Sequence, residues 1–170
     1  MECKNLKSMG CAAFITASAL IGAPTTMNFE GMKLAPYYDS VGVKTWCVGE
    51  TEVGEKEKFN PDECKLMYNI RYGFYSMAVT KMYNERGTEN TSPEMHAAFV
   101  DMAYNVGIDA VSNSTMIREV NAGNKRKACD GILLYKKAGG VDCSKPGNKI
   151  CPGVWTRRLQ MNELCKKGIK

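Results

Sequence analysis

The chain has 170 residues, which is one domain or one domain built as two lobes. A hydrophobic content of 44% supports a real core and excludes a disordered chain. The formal net charge is +5, but the basic residues are scattered, with Lys125, Arg126 and Lys127 the densest cluster. No basic stripe marks a nucleic-acid binder, and no nucleic-acid partner is expected. Such a balance serves simple solubility or attraction to an acidic polymer or anionic lipid surface, and charge alone does not choose between them. Eight cysteines point to an oxidising compartment. Without a CxxC spacing and with His96 as the single histidine, zinc is not expected.

In chain order, Lys4 and Lys7 form a small basic head, and residues 8–29 carry no charge. That run is long enough to cross a bilayer as a helix, which takes ~20 residues. It is only weakly apolar, because Gly10, Ala12, Ala13, Thr16, Ala17, Ser18, Ala19, Gly22 and Ala23 dilute Phe14, Ile15, Leu20 and Ile21. A cleaved secretory signal wants small residues at its cut site. Ile21-Gly22-Ala23 is passable, but Pro24 is a poor start for a mature chain. A permanent anchor would be richer in leucine and isoleucine. A signal-anchor able to leave the membrane fits best, since a weakly apolar helix costs little to extract; a small-residue core helix of a cytosolic enzyme fits the cysteine count badly. Residues 1–29 are accordingly set apart from a catalytic domain over residues 30–170.

Residues 30–51 read EGMKLAPYYDSVGVKTWCVGET. An acid, Glu30, precedes Gly31; the tyrosine pair Tyr37 and Tyr38 leads into Asp39; a turn follows around Gly42; Thr45 and Trp46 open a β-prone run that meets Gly49. Two carboxylates thus sit near a turn, with a hydroxyl on the next extended segment. Glycoside hydrolysis needs one acid to protonate the leaving oxygen, a second carboxylate across the sugar, and a means of holding water. A solvated helix end followed by an ordinary hairpin is the plainer alternative, since acids are common in turns.

The spaced set Glu30, Asp39 and Thr45, with Gly31, Tyr37, Gly42 and Gly49 around it, resembles the Glu–Asp–Thr signature of the phage-type lysozymes, the endolysins of glycoside hydrolase family 24. The resemblance implies that Glu30 is the general acid, with a raised pKa, and that Asp39 and Thr45 handle the attacking water and the developing positive charge. Two positions depart from the family. Glu50 stands where a histidine is usual, and Cys47 where a glycine often is. A third carboxylate near Glu30 would raise the pKa of Glu30, as suits a general acid.

Beyond this hairpin, residues 51–59 read as loop or short strand. Asn60-Pro61-Asp62-Glu63 is a helix start, with an Asn cap, a proline in the first turn and acids at the positive helix end. The helix is predicted to run to Arg86, with Leu66, Ile70 and Phe74 inward and Gly87 ending it. Tyr68, Tyr72 and Tyr75 read as core and rim. Residues 91–94 restart a helix that carries His96, read as structural, to Gly107. Tyr104 resembles the aromatic of the same family that lines the cleft floor, and Ser114-Thr115 a cleft-facing pair; Tyr104 and Ser114 are the candidate substrate contacts. A short helix is predicted over residues 112–123 and another over residues 125–137, with Cys129, Ile132 and Leu133 inward and Gly139-Gly140 stopping it. A loop to Gly153 and a final helix through Cys165 follow, on which Arg157 and Arg158 are expected to hold a helix junction through carboxylates.

Sequence leaves the cysteine connectivity open. Cys143 with Cys151 is the most economical pair, Cys129 with Cys165 would staple two predicted helices, and Cys47 with Cys64 would tie the hairpin to the next helix. Cys11 lies inside the uncharged segment and could exchange with a disulfide such as that of Cys47 after release.

The resemblance spans residues 29–166. It implies an α+β, lysozyme-like fold, mostly helical, with a small β-hairpin lobe, a helical lobe and a cleft between. The implied reaction is hydrolysis of the β-1,4 bond between N-acetylmuramic acid and N-acetylglucosamine, without cofactor or metal. The implied partner is peptidoglycan, and the expected state a monomer. Export by the host machinery, tethering to the inner membrane through residues 8–29, and release to the periplasm of a Gram-negative host complete the expectation. While the segment lies in the bilayer, Glu30 is held at its surface and the cleft cannot assemble. A lytic transglycosylase acting on the same bond, and a non-catalytic protein that binds peptidoglycan or regulates lysis, are the alternatives; the first normally lacks a second carboxylate such as Asp39.

Overall fold

The computed structural model describes residues 10–38, 42–51 and 57–169. Helix α1 spans Cys11–Glu30 with Pro24 inside it, and closes at Gly31, whose φ of 74° turns the chain while its N–H donates to the Met27 carbonyl. This is the uncharged segment of the sequence. It runs without a break across the boundary expected between residues 29 and 30 and packs on the helical body. No helix among the described residues is long and apolar enough to cross a membrane. The side of α1 that meets the body is made of Phe14, Ser18, Gly22 and Thr26, four residues apart and all buried, whereas Leu20 is 75% exposed. Small side chains on that face let the helix axis come close to its neighbours.

Three residues after Glu30 the chain enters β1 (Lys33–Tyr38), which pairs antiparallel with β2 (Lys44–Cys47). Lys33 faces Cys47 and Tyr37 faces Thr45, with a bulge between. Trp46 and Glu50 close a tight turn through two backbone hydrogen bonds of 2.8 and 2.9 Å.

Helix α2 (Pro61–Thr80) starts with a complete capping box: Asn60 accepts from the Asp62 and Glu63 amides, and Glu63 accepts from the Asn60 amide. The helix ends at Thr80, not Arg86; Asn84 then caps a separate α3 (Glu85–Asn90) by accepting from the Gly87 amide, so Gly87 lies inside a helix instead of ending one. The inner face is Cys64, Tyr68, Tyr72, Ser76 and Val79, while Leu66, Ile70 and Phe74 are 62%, 67% and 57% exposed. Both stripes obey helical spacing. The disulfide from Cys64 to Cys47 sets the rotation of the helix, and two tyrosines bury more area than the aliphatic stripe would.

Helix α4 (Pro93–Val106), capped by Ser92, is the centre of the core: every residue from Met95 to Ala103 is buried, and α1 and α2 pack against it. His96 is interior, between the Ser76 hydroxyl at 2.9 Å and the Tyr83 hydroxyl at 3.0 Å. Short helices α5 (Ile108–Ser112), α6 (Thr115–Asn121) and α7 (Lys125–Asp130) follow, then a 3-10 turn over Gly131–Leu134. The helix expected over residues 125–137 is thus cut short. Gly139 and Gly140, with φ of 54° and 80°, turn a small hairpin of β3 (Lys137–Ala138) and β4 (Val141–Asp142). Helix α8 (Pro152–Lys167) returns across α4. Disulfides join Cys47 to Cys64, Cys129 to Cys165 and Cys143 to Cys151. The last two fasten α7 to α8 and close the loop before α8. The result is a mostly helical α+β fold with a β-hairpin lobe and a helical lobe.

Candidate active site

Glu30 is the last residue of α1, so its carboxylate leaves the helix where the chain turns into the hairpin. Its Oε1 accepts a 2.8 Å hydrogen bond from Nη1 of Arg157, which comes from α8. The same guanidinium donates through Nε and Nη2 to both oxygens of Asp101 on α4, at 3.0 and 2.9 Å. Asp101 Oδ1 also accepts from the Thr26 hydroxyl at 2.8 Å, and the Phe29 ring lies 4.9 Å from the guanidinium carbon. Burial alone would lower the Arg157 pKa, but Asp101 and then Glu30 hold it above its usual value. The ion is locked in its charged form, with a fork that matches a carboxylate.

Thr45 lies buried on β2, its hydroxyl donating to the Val43 carbonyl at 2.9 Å. Asp39, expected as the second carboxylate, lies outside the described residues. Tyr104 is half-buried and donates its hydroxyl to the Val48 carbonyl at 2.9 Å, which ties α4 to the hairpin. Its ring meets those of Tyr75 and Tyr68 at 4.9 and 5.7 Å. Burial first, then the negative charges of Glu30 and Glu50, push the Tyr104 phenol up. Those carboxylates are therefore its electrostatic neighbours, and Glu30, Glu50 and Tyr104 share one region. Ser114 is placed differently from a cleft-facing contact: it is buried and caps α6 by accepting from the Ile117 amide at 3.2 Å.

The two departures from the family pattern have local explanations. Cys47 has φ 49°, a left-handed conformation that favours glycine, and its disulfide to Cys64 holds it there. Glu50 is met by Nε of Arg71 from α2 at 3.1 Å, so its charge is matched within the pair. Arg158, expected to hold a junction through a carboxylate, instead donates to the Tyr135 carbonyl and the Asn105 amide oxygen.

Sequence reasoning missed Thr26, Arg71 and Asp101. Asp101 did carry a signal, as a lone acid inside the apolar run MHAAFVDMAY. Such an acid is rarely buried without a cationic partner.

Residues 27–160 match the family model for phage lysozyme. The chain is 30% identical over 164 residues to the SAR-endolysin of Enterobacteria phage P21, covering 95% of this chain and 92% of that protein. Its fold is similar to a crystal structure of a P22 lysozyme mutant, with TM-score 0.70, 23% identity and coverage of 86% and 95% of the two chains. It is also similar to the active form of the P1 phage endolysin Lyz, with TM-score 0.69, 17% identity and coverage of 94% and 95%. The chain belongs to the phage lysozyme family. It is a glycoside hydrolase of the lysozyme type, an endolysin whose muramidase activity on peptidoglycan serves cell lysis.

Proposed function

We propose that Glu30 is the general acid that protonates the glycosidic oxygen between N-acetylmuramic acid and N-acetylglucosamine. Asp39 is the base or the stabiliser of the oxocarbenium charge, and Thr45 orients the water. The observation that carries this reading is the seat of Glu30: a carboxylate at the end of α1, where the chain turns toward the hairpin, gripped on Oε1 by Arg157. Among the described residues Arg157 is its one hydrogen-bond donor, so Oε2 is the oxygen that faces substrate chemistry. A general acid must come within hydrogen-bond reach of the oxygen it protonates, and a pinned carboxylate meets that need. The Thr45 hydroxyl gives its hydrogen to Val43, which leaves oxygen lone pairs to accept from a water. Tyr104, whose phenol feels the charges of Glu30 and Glu50, forms the floor of the sugar site.

The test is turbidity loss of purified peptidoglycan with wild type and Glu30→Gln, followed by mass spectrometry of the fragments. Reducing muramic ends that disappear in the variant are expected. Turnover retained by Glu30→Gln would remove the assignment, and 1,6-anhydro ends would make the enzyme a transglycosylase.

The same reading extends to location. Residues 8–29 tether the newly exported chain to the inner membrane of a Gram-negative host, and the chain is then released to the periplasm as a monomer. Support comes from the weakly apolar segment and from the name of the phage P21 relative. In this structure that segment, from Cys11 on, is helix α1 and carries Glu30, so the tethered form would lack the acid in its working place. Fractionation after pulse labelling is expected to find the chain first with membranes and later in the periplasmic fraction. A chain found only in the cytosol would refute this.

A further inference from the structure

We propose that Asp101 is a positioning residue that makes the placement of Glu30 depend on the docking of α1. The inference rests on the assignment of Glu30 as the acid. Asp101 touches no part of the cleft; its side chain is 1% exposed. It binds two groups at once. Toward α1 it accepts from Thr26, one helical turn before Glu30. Toward α8 it receives the Nε and Nη2 hydrogens of Arg157 on its two oxygens.

A guanidinium is planar, and two parallel hydrogen bonds on one edge fix its plane and its rotation. The third nitrogen can then donate its two hydrogens only along fixed directions in that plane. Here it donates to Glu30 Oε1 at 2.8 Å, while the guanidinium carbon sits over the Phe29 ring, 4.9 Å from its centre. Glu30 is otherwise free to move: its side chain is 26% exposed at the end of a helix and has three rotatable bonds. A catalytic group displaced by about 1 Å can lose on the order of 10²-fold in rate. Asp101 removes that freedom by aiming Arg157.

The link to Thr26 couples this aim to the position of α1. If α1 shifts along its groove, Thr26 leaves Asp101 and Phe29 leaves Arg157 together, and Glu30 moves with the helix that carries it. A buried ion pair alone is weak evidence for stability. The chained geometry across three helices is instead suited to specifying one position for one carboxylate.

The experiment measures kcat and KM on purified peptidoglycan for wild type, Asp101→Asn, Thr26→Val and Thr26→Ser. All are assayed at one temperature, about 20 °C below the lowest of their melting temperatures, which keeps the comparison to folded protein at equal thermal energy. Asp101→Asn is expected to lose about tenfold or more in kcat, with KM within about twofold, because an interaction that acts on the transition state is lost and not a sugar contact. Thr26→Val keeps shape and burial and leaves the Arg157–Asp101 fork; about a threefold loss in kcat is expected from one hydrogen bond. Thr26→Ser, which keeps the hydroxyl, is expected to restore it. Wild-type kcat in folded Asp101→Asn or Thr26→Val overturns the proposal. So does a loss that appears in KM alone, or one that Thr26→Ser shares in full. If wild type turns over and Glu30→Gln does not, these outcomes bear on Asp101 alone; if Glu30→Gln turns over, the underlying assignment has failed.

Discussion

Gly22 of α1 lies directly against the Tyr72 phenol of α2. A methyl group on its Cα would overlap the Tyr72 oxygen and stand 2.9 Å from the Ala97 side chain. Gly22→Ala is therefore expected to push α1 outward and to cost about 1–3 kcal/mol, as overpacking does. Because α1 ends in Glu30, activity should fall with the change in packing. Leu20, on the same helix but 75% exposed, is the control: Leu20→Ala should stay within about 0.5 kcal/mol of wild type. Thermal melts and turbidity assays of both variants check this. Equal stability in the two would mean that the close approach of α1 and α2 is not maintained in solution.

His96 makes stability depend on pH. Burial pushes its pKa down from 6.5 to about 3. The native state thus holds it neutral, while the unfolded chain takes up a proton near its ordinary value. Its contribution is fully present above pH 6.5 and is lost as pH falls from there toward 3, with a slope approaching about 1.4 kcal/mol per pH unit. Asp142 and Asp130 are held below their ordinary value of 3.8, Asp142 mainly by the Ser144 hydroxyl and Asp130 mainly by Lys166. Their contributions begin to be lost only as pH nears that value, so of these three groups His96 alone changes over the window from pH 6 to 5. Denaturant midpoints of wild type should fall across that window, and those of His96→Gln should be flatter. A parallel fall in both would assign the slope to other groups.

The Cys47–Cys64 bridge closes a loop of 17 residues. In the chain-entropy account a loop of that size contributes about 3 kcal/mol. Replacing both cysteines by alanine should cost about that much. A Cys47→Gly, Cys64→Ala pair should lose about 1 kcal/mol less, because glycine adopts the φ of 49° at residue 47 without steric penalty. Urea unfolding of the two double variants decides the sign. A more stable alanine version would show that residue 47 relaxes once the bridge is gone.

Glu50 and Arg71 should behave as a unit. Their 3.1 Å pair ties α2 to the turn after β2. Arg71 is 31% exposed on its side chain, and solvent screens the interaction, so about 1 kcal/mol of coupling is expected from a double-mutant cycle of Glu50→Gln and Arg71→Gln. Additive losses would show that the two charges act independently.

Several features are local enough to be settled by the residues alone. The family and the lysozyme-like fold class follow from a spaced set of residues around the hairpin and from segments downstream. The starts of α2 and α4 follow from Asn60-Pro61 and Ser92-Pro93, because a cap and a first-turn proline act within four residues. Tertiary structure decided the rest. Two stripes on α2 have equal helical spacing, and only packing against α4 and the bridge to Cys47 turned the tyrosines inward and left Leu66, Ile70 and Phe74 outside. The segment before Glu30 has the composition of a weak membrane helix, yet in the fold its small face seats it on α2 and α4, since close approach needs a neighbour that sequence does not display. The grip on Glu30 joins residues as far apart as 26, 101 and 157. Hydrogen bonds over such separations have no sequence period; they exist only once three helices have been brought side by side.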